Sequence, residues 1–245
     1  MNTFKDEIVE FLVSQGAKIT HSNDHYIQIE ELKIILLDLD QTDKIPSCKS
    51  QSVNIRKDQW INDPEKIKSK LKDRLGNNKR VFGRNCIIKS IESPLAERFL
   101  NDYHLLGFTK AKHHYGIYEK DVLLGVGSFG KKCPIDRYGE KSMSSELKRI
   151  GFIPGLTIIG GFTKVLRHHI NKEKLDDIMT YLDRNWSTGE NFEDLGFYEE
   201  DRVKNHFYFD TKTGKTYLPS EITNQMQLKR IEGAGSIKML FYNED

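Results

Sequence analysis

Three cysteines, Cys48, Cys86 and Cys133, are all the chain has, far apart and without CxxC spacing. That spacing argues against a disulfide framework or a zinc site and implies plain reduced thiols. No apolar run nears the roughly 18 residues needed to cross a bilayer, and the N-terminus is an amphipathic segment of mixed charge, unlike a signal sequence. A soluble, cytoplasmic protein without membrane contact is expected. There is no internal repeat and no low-complexity tract, and no large excess of one charge: the formal net charge is +2, too small to indicate a partner by itself. What is present is an ordinary globular composition, 37% hydrophobic and 30% charged over 245 residues, enough for one large domain or two small ones.

The charge is unevenly spread. Residues 66–84, KIKSKLKDRLGNNKRVFGR, hold eight Lys/Arg against one Asp. A solvated amphipathic helix explains part of this run, but the bias continues beyond the helical pattern to Arg84. Lys68, Lys70, Lys72, Arg74, Lys79, Arg80 and Arg84 are therefore candidate phosphate-backbone contacts.

Periodicity gives the order of elements. Phe4, Ile8, Phe11 and Leu12 fall at helical spacing before Gly16. HYIQI and LKIILLDLD read as strands, and Asp63-Pro64 opens a helix that carries Ile67, Leu71 and Leu75 on one face. A strand at 86–91 and a helix opened by Ser93-Pro94 follow, then a hairpin turning at Lys120-Asp121. The glycine- and proline-bearing stretch 133–142 reads as a loop, 204–209 as a strand, 222–231 as a helix and 235–242 as a final strand.

The stretch 144–197 carries most of the chemistry. An apolar strand ends in Ile159-Gly160-Gly161-Phe162-Thr163-Lys164 and runs into a helix. Glycines allow backbone N–H groups close approach to an anion, and a helix N-terminus favours negative charge. These six residues are the candidate seat of a phosphorylated cofactor, with Lys164 adding a charge.

The order helix, hairpin, strand, glycine turn with helix, strand, helix ending in LGF, strand resembles the acyl-CoA-dependent N-acyltransferases of the GNAT superfamily. More narrowly, the segments NDYHLLG, SSELKRIG, IIGGFTKVL, TYLDRNWSTGENFEDLGF, KNHFYF and RIEGAGSIKMLF, in this order, resemble a phage-encoded Mom-like group that modifies adenine in DNA. ELKIILLDLD, RKDQWINDPEKIKSKL and RVFGRNCIIKSI resemble the companion domain of such proteins, a degenerate nuclease of the very-short-patch-repair and homing-endonuclease type.

The resemblance implies an α+β protein: a small nuclease-like α/β domain at 1–90 that binds nucleic acid, then a GNAT-like mixed-sheet domain at 91–245. In that fold two parallel strands splay, an acyl-CoA arm adds to the open edge, and its pyrophosphate sits on the glycine turn. The acceptor implied is an amine on a nucleobase, in DNA more than RNA, within a bacterial host's cytoplasm.

Five residues are catalytic candidates on this reading. His104 would act as base or orient the amine, and Asp183 would take its proton or hold an exocyclic nitrogen. Ser187 would donate to the carbonyl oxygen or the departing thiolate. Tyr181 and Trp186 would stack a base, Asn205, His206 and Tyr208 would line the acceptor cleft, and Arg184 would join Trp186, Asn205 and Tyr208 in binding nucleic acid. Arg149 meets a phosphate or pairs with Glu146. Bland roles stand beside these: an ion pair of Asp183 with Arg184, a structural histidine, aromatic residues in the core. Phe192, Leu195 and Phe197 are assigned to packing. The adjacent pairs His113-His114 and His168-His169 do not indicate a metal.

Two other functions stay open. One is a metal-dependent endonuclease in which Asp24, Glu31, Asp38 and Asp40 gather Mg²⁺ and the C-terminal half recognises DNA. The other is a catalytically idle binder of a host factor.

Overall fold

The computed structural model describes residues 3–49, 51–222 and 228–243. In chain order the elements are α1 (Phe4–Ser14), β1 (Ile19–Ser22), β2 (Tyr26–Ile29), β3 (Leu32–Leu37), β4 (Ser52–Arg56), α2 (Lys57–Asn62), α3 (Pro64–Arg74), β5 (Lys79–Phe82) and β6 (Cys86–Ser90). Then come α4 (Ser93–Tyr103), β7 (His113–Glu119), β8 (Val122–Phe129), β9 (Cys133–Arg137), β10 (Glu140–Phe152), β11 (Leu156–Ile159), α5 (Gly161–Glu173) and β12 (Asp177–Asp183). The chain closes with α6 (Glu190–Glu193), β13 (Tyr198–Val203), β14 (His206–Phe209), β15 (Thr216–Tyr217), β16 (Lys229–Glu232) and β17 (Ser236–Tyr242).

Two compact units emerge: Met1–Lys68 with Leu182–Asn191 and Glu200–Lys238, and Ser69–Tyr181 with Phe192–Glu199 and Met239–Asp245. This differs from the division at residue 90. Residues 69–90 belong with the second unit because β5 pairs with β11 and β6 with β7, long-range pairings that no local pattern announces.

In the first unit, α1 is fixed by a capping box in which Thr3 and Asp6 satisfy each other's backbone N–H groups. Ile8 and Leu12 are its buried face. β1, β2 and β3 form an antiparallel meander, and β4 joins β3 in parallel. A three-stranded sheet, β15-β14-β16, contributes Phe207, Phe209 and Ile231 to a core shared with Leu37, Leu39, Ile45 and Ala234. β14 alternates, with Phe207 and Phe209 buried and His206 and Tyr208 only half-buried. Residues 229–231, expected as the end of a helix, are strand because they pair with β14; residues 223–227 of that expected helix lie outside the described residues.

The second unit contains a mixed sheet ordered β13-β17-β12-β10-β8-β7-β6, with β9 pairing β10. α4 buries Ala96, Phe99 and Leu100 against Val126 of β8. Phe162, Phe192, Phe197 and Phe241 form a chain of ring contacts, Phe197 being buried. Leu195, also assigned to packing, is 40% exposed.

The stretch 133–142 is a hairpin and not a loop. Tyr138 (φ 57) and Gly139 (φ 92) form its two-residue turn between Arg137 and Glu140, a left-handed pair as hairpin twist requires. Pro134 is tolerated because β9 pairs only with β10, so the missing N–H breaks no second ladder. The whole is an α+β structure, and no helix among the described residues is long and apolar enough to cross a membrane.

Candidate functional site

β10 and β12 run parallel and in register from Ser144↔Asp177 to Leu147↔Thr180. There the register ends, although β10 continues to Phe152 and Tyr181 is still strand. Two local features account for the parting. β10 is bulged at Lys148, since Leu147 pairs with Phe129 but Arg149 with Ser128; the extra residue bends the strand and raises its twist. The Thr180 hydroxyl then donates to the Leu147 carbonyl at 2.9 Å. Beyond this point β10 stays paired with β8 on one side, through Phe152↔Gly125, while its β12 side is out of register.

The bulge also organises the loop after α4. Lys148 Nζ donates to the Lys110 carbonyl at 3.1 Å, and Arg149 donates to the carbonyls of Gly107 (3.2 Å) and Lys148 (2.7 Å). Arg149 is thus bound to backbone oxygens; burial disfavours its charge, and the Glu146 carboxylate expected as its partner favours it. His104 caps α4 and lies against Gly151, on the half of β10 past the bulge. Its Nδ1 accepts the Leu106 N–H at 3.1 Å, so the neutral ring carries its proton on Nε2. A base acting through Nδ1 is excluded in this geometry; the remaining nitrogen is a donor. Tyr181, the first β12 residue past the register, is 44% exposed.

The glycine turn has the expected backbone form. Gly160 (φ 73) is exposed and precedes α5 without a side-chain cap. Gly161 is buried against its own strand: a Cβ there would come within 2.6 Å of the Ile158 side chain. Lys164 does not face the turn as a spare charge, because its ammonium donates to the Gly83 carbonyl at 3.0 Å and to that of Cys86. Phe162 is a core ring, in edge contact with Phe192. Ile159, Gly160 and Thr163 remain as residues of a turn that can meet an anion.

The first unit holds Asp183, Arg184, Trp186, Ser187, Asn205 and Tyr208, and there the structure gives most of them structural duties. Asp183 Oδ1 accepts both the backbone N–H (2.9 Å) and the side-chain amide (2.8 Å) of Asn185, which fixes the turn leaving β12. This replaces the expected ion pair with Arg184. Asn185 in turn receives the buried Asn54 amide at 3.1 Å. Arg184 is tied through its backbone, donating to Gly235 and accepting from Cys48. The Ser187 hydroxyl oxygen accepts the Gly189 N–H at 3.2 Å. Trp186 is 5% exposed and therefore core, with no face for a base. Asn205 closes the Gly233–Gly235 loop by accepting the Gly235 N–H at 3.0 Å. Sequence alone hides such duties, since a turn-forming Asp and a catalytic Asp look alike.

The four acids weighed for Mg²⁺ do not converge. Glu31 sits in the turn between β2 and β3, at the end of the hairpin opposite Asp38; Asp38 is paired with Lys57 at 2.8 Å and accepts the Asp40 backbone N–H at 3.1 Å, and Asp24 projects into solvent near Lys5. Among the described residues no group of three or more His, Cys, Asp and Glu is placed to hold a metal ion. Of the basic run, Lys68 pairs with Glu65 at 2.7 Å, and Lys79, Arg80 and Arg84 are exposed.

Sequence reasoning missed a buried polar chain in the second unit. Ser145 donates to the Gly130 carbonyl at 3.0 Å, so its oxygen accepts from His169 Nε2 (3.1 Å), and His169 Nδ1 accepts from the Tyr115 hydroxyl (3.2 Å). Burial lowers the His169 pKa to about 3 and raises that of Tyr115 to about 12. A separate cavity of about 250 Å³ is lined by Ser90, Glu92, Lys112, His113 and His114; none of the predicted catalytic residues lines it.

Comparison with known proteins gives likenesses of fold only. The chain is similar to a GNAT family acetyltransferase from Elizabethkingia anophelis with acetyl-CoA bound, at 18% identity over 65% of this chain and 99% of that one, TM-score 0.41. It is also similar to the ribosomal-protein-S18-alanine N-acetyltransferase from Escherichia coli, at 14% identity over 64% and 93%, TM-score 0.41. A third is the IAA acetyltransferase from Bacillus cereus ATCC 14579, at 14% identity over 64% and 99%, TM-score 0.39. No family model and no curated protein matches. Scores of this size decide nothing about chemistry, and the parting of β10 from β12 stands on its own geometry.

Proposed function

We propose that the chain transfers an acyl group from a coenzyme A thioester to an amine. The observation that carries this is the end of the β10–β12 register at Leu147 and Thr180 while β10 continues. An extended chain of amides, such as the pantetheine arm, adds to an open strand edge as another strand would. The first turn of α5, from Gly161, has no side-chain cap and so offers backbone N–H groups for its pyrophosphate. In the transfer, the amine nitrogen attacks the thioester carbonyl carbon. A C–N bond forms, the C–S bond breaks, and the departing thiolate takes up the proton that the amine loses. His104, with its proton on Nε2, suits hydrogen bonding to the developing oxyanion, and Tyr181 flanks the same half of the strands.

The acceptor we favour is a nucleobase amine. The ordered segments from NDYHLLG to RIEGAGSIKMLF support this, as does the lysine-rich α3. On this reading the basic run at residues 66–84 adds nucleic-acid affinity. Because a base must leave the stack to react, single-stranded substrate is expected to be preferred.

The test is thiol release from acetyl-CoA with single-stranded oligonucleotide, duplex or peptide amine as acceptor, alongside mass spectrometry of nucleosides from expressing cells. Release that is lost in Tyr181→Phe or His104→Ala supports the reading. Absence of coenzyme A binding and of thiol release with every acceptor ends it. Release with the peptide amine alone keeps acyl transfer and removes the nucleobase.

A further inference from the structure

The basic run singled out in the sequence ends at the glycine turn. β5 lies parallel to β11, with Arg80 opposite Thr157 and Phe82 opposite Ile159. Opposed residues in such a ladder share a face, so these four lie together while Val81 and Ile158 are buried on the other side. That shared face carries two large apolar side chains in solvent, Phe82 at 48% and Ile159 at 42% exposure. The Arg84 guanidinium stands over the Phe82 ring, 4.9 Å from its centroid.

Gly83 brings the two strand ends together. A Cβ at that position would lie 2.9 Å from the Ile159 carbonyl oxygen and 3.0 Å from Gly161 N, too close for any other residue without a backbone shift. The exposed ring, the two arginines and the left-handed Gly160 are thereby gathered at one edge of the second unit. Along the chain on both sides of this edge acids are lacking: residues 74–91 contain no Asp or Glu, and neither do residues 147–172. Carboxylates from neighbouring elements include Asp73, held by Asn78 at the far end of β5, Glu119, opposite Cys86 on β7, and Glu193 of α6, next to the Phe192 ring that meets Phe162.

An exposed ring beside cations and free backbone N–H groups suits a planar base that carries phosphates. We propose that this edge seats the nucleotide end of the acyl carrier, the 3′-phosphoadenosine diphosphate of coenzyme A, with adenine on Phe82 and Ile159 and phosphate oxygens facing Arg80 and Arg84. The proposal rests on the acyl-carrier reading above. It assigns part of the apparent nucleic-acid footprint to a small molecule.

Calorimetric titration of the full chain with coenzyme A, dephospho-coenzyme A and 4′-phosphopantetheine tests it. Phe82→Ser is expected to weaken coenzyme A binding roughly tenfold, the loss of one stacked base, and to leave phosphopantetheine binding unchanged. Arg80→Ala with Arg84→Ala is expected to erase the preference for coenzyme A over its dephospho form. These side chains are exposed, so unchanged melting temperatures serve as the folding control. If the wild-type chain binds coenzyme A and both variants bind it equally well, the seat is elsewhere and only this inference falls. If the wild-type chain binds no coenzyme A, both readings fall; loss of single-stranded oligonucleotide binding in the double arginine variant would then assign the edge to nucleic acid.

Discussion

The Thr180 hydroxyl donates to the carbonyl of Leu147 across the last pair at which β10 and β12 share a register. A side chain here does what a ladder amide does one pair earlier, and so lets the strands separate without leaving a buried acceptor unpaired. Thr180→Val keeps the shape and removes the donor. A loss of about 1–3 kcal/mol in urea denaturation is expected, with Thr180→Ser close to wild type. An unchanged midpoint in the valine variant would show that this carbonyl has another partner.

His169 makes stability depend on pH. Its folded pKa, about 3, lies below the ordinary value of 6.5 because burial disfavours the cation. Below 6.5 the unfolded chain binds a proton that the folded chain refuses, so the stability present above that pH is lost as the pH falls toward 3. The slope should approach about 1.4 kcal/mol per pH unit for one such group. His114 and His168, also lowered by burial, act in the same direction. His169→Gln, followed by chemical denaturation between pH 7 and roughly 4, should flatten the dependence; a parallel curve would place its source elsewhere.

Asp177 is fully buried and paired with Arg137, itself 8% exposed, at 3.1 Å; Ser144 donates to the same carboxylate. Asp177→Ala would strand the guanidinium in the interior and should cost about 3–5 kcal/mol. Adding Arg137→Met should recover part of that loss. If the double variant is as unstable as the sum of the single ones, the stranded charge is not the cause.

Tyr138 occupies a left-handed turn position (φ 57) with 87% of its surface exposed. The hairpin sequence is therefore strained at a point where nothing in the fold rewards the ring. Tyr138→Asn should stabilise the protein by up to about 1 kcal/mol, since Asn adopts this conformation more readily. A small rise in melting temperature checks this, and a fall would reveal a packing role for the ring.

The sequence showed elements whose signals are local. Ser93-Pro94 marks α4, alternation and Lys120 mark the β7–β8 hairpin, and the capped period of residues 3–14 marks α1. It misled wherever composition and pairing disagreed. Pro134 and Gly139 read as loop but sit in a hairpin, and residues 229–231 read as helix but complete a sheet. The glycine turn was legible as a turn, since Gly-Gly leaves few alternatives. The bulge at Lys148 was not, because an extra strand residue has no fixed residue type. Nor was the use of Asp183, Asn205 and Lys164 as clasps on nearby polar groups.

The short parallel ladder of β5 with β11 limits how this protein can be divided. A fragment cut at residue 91, where a linear reading invites the scissors, would discard the strand that backs the glycine turn and both carbonyl acceptors of Lys164. Excision of a fragment that keeps this ladder should start upstream of Lys79.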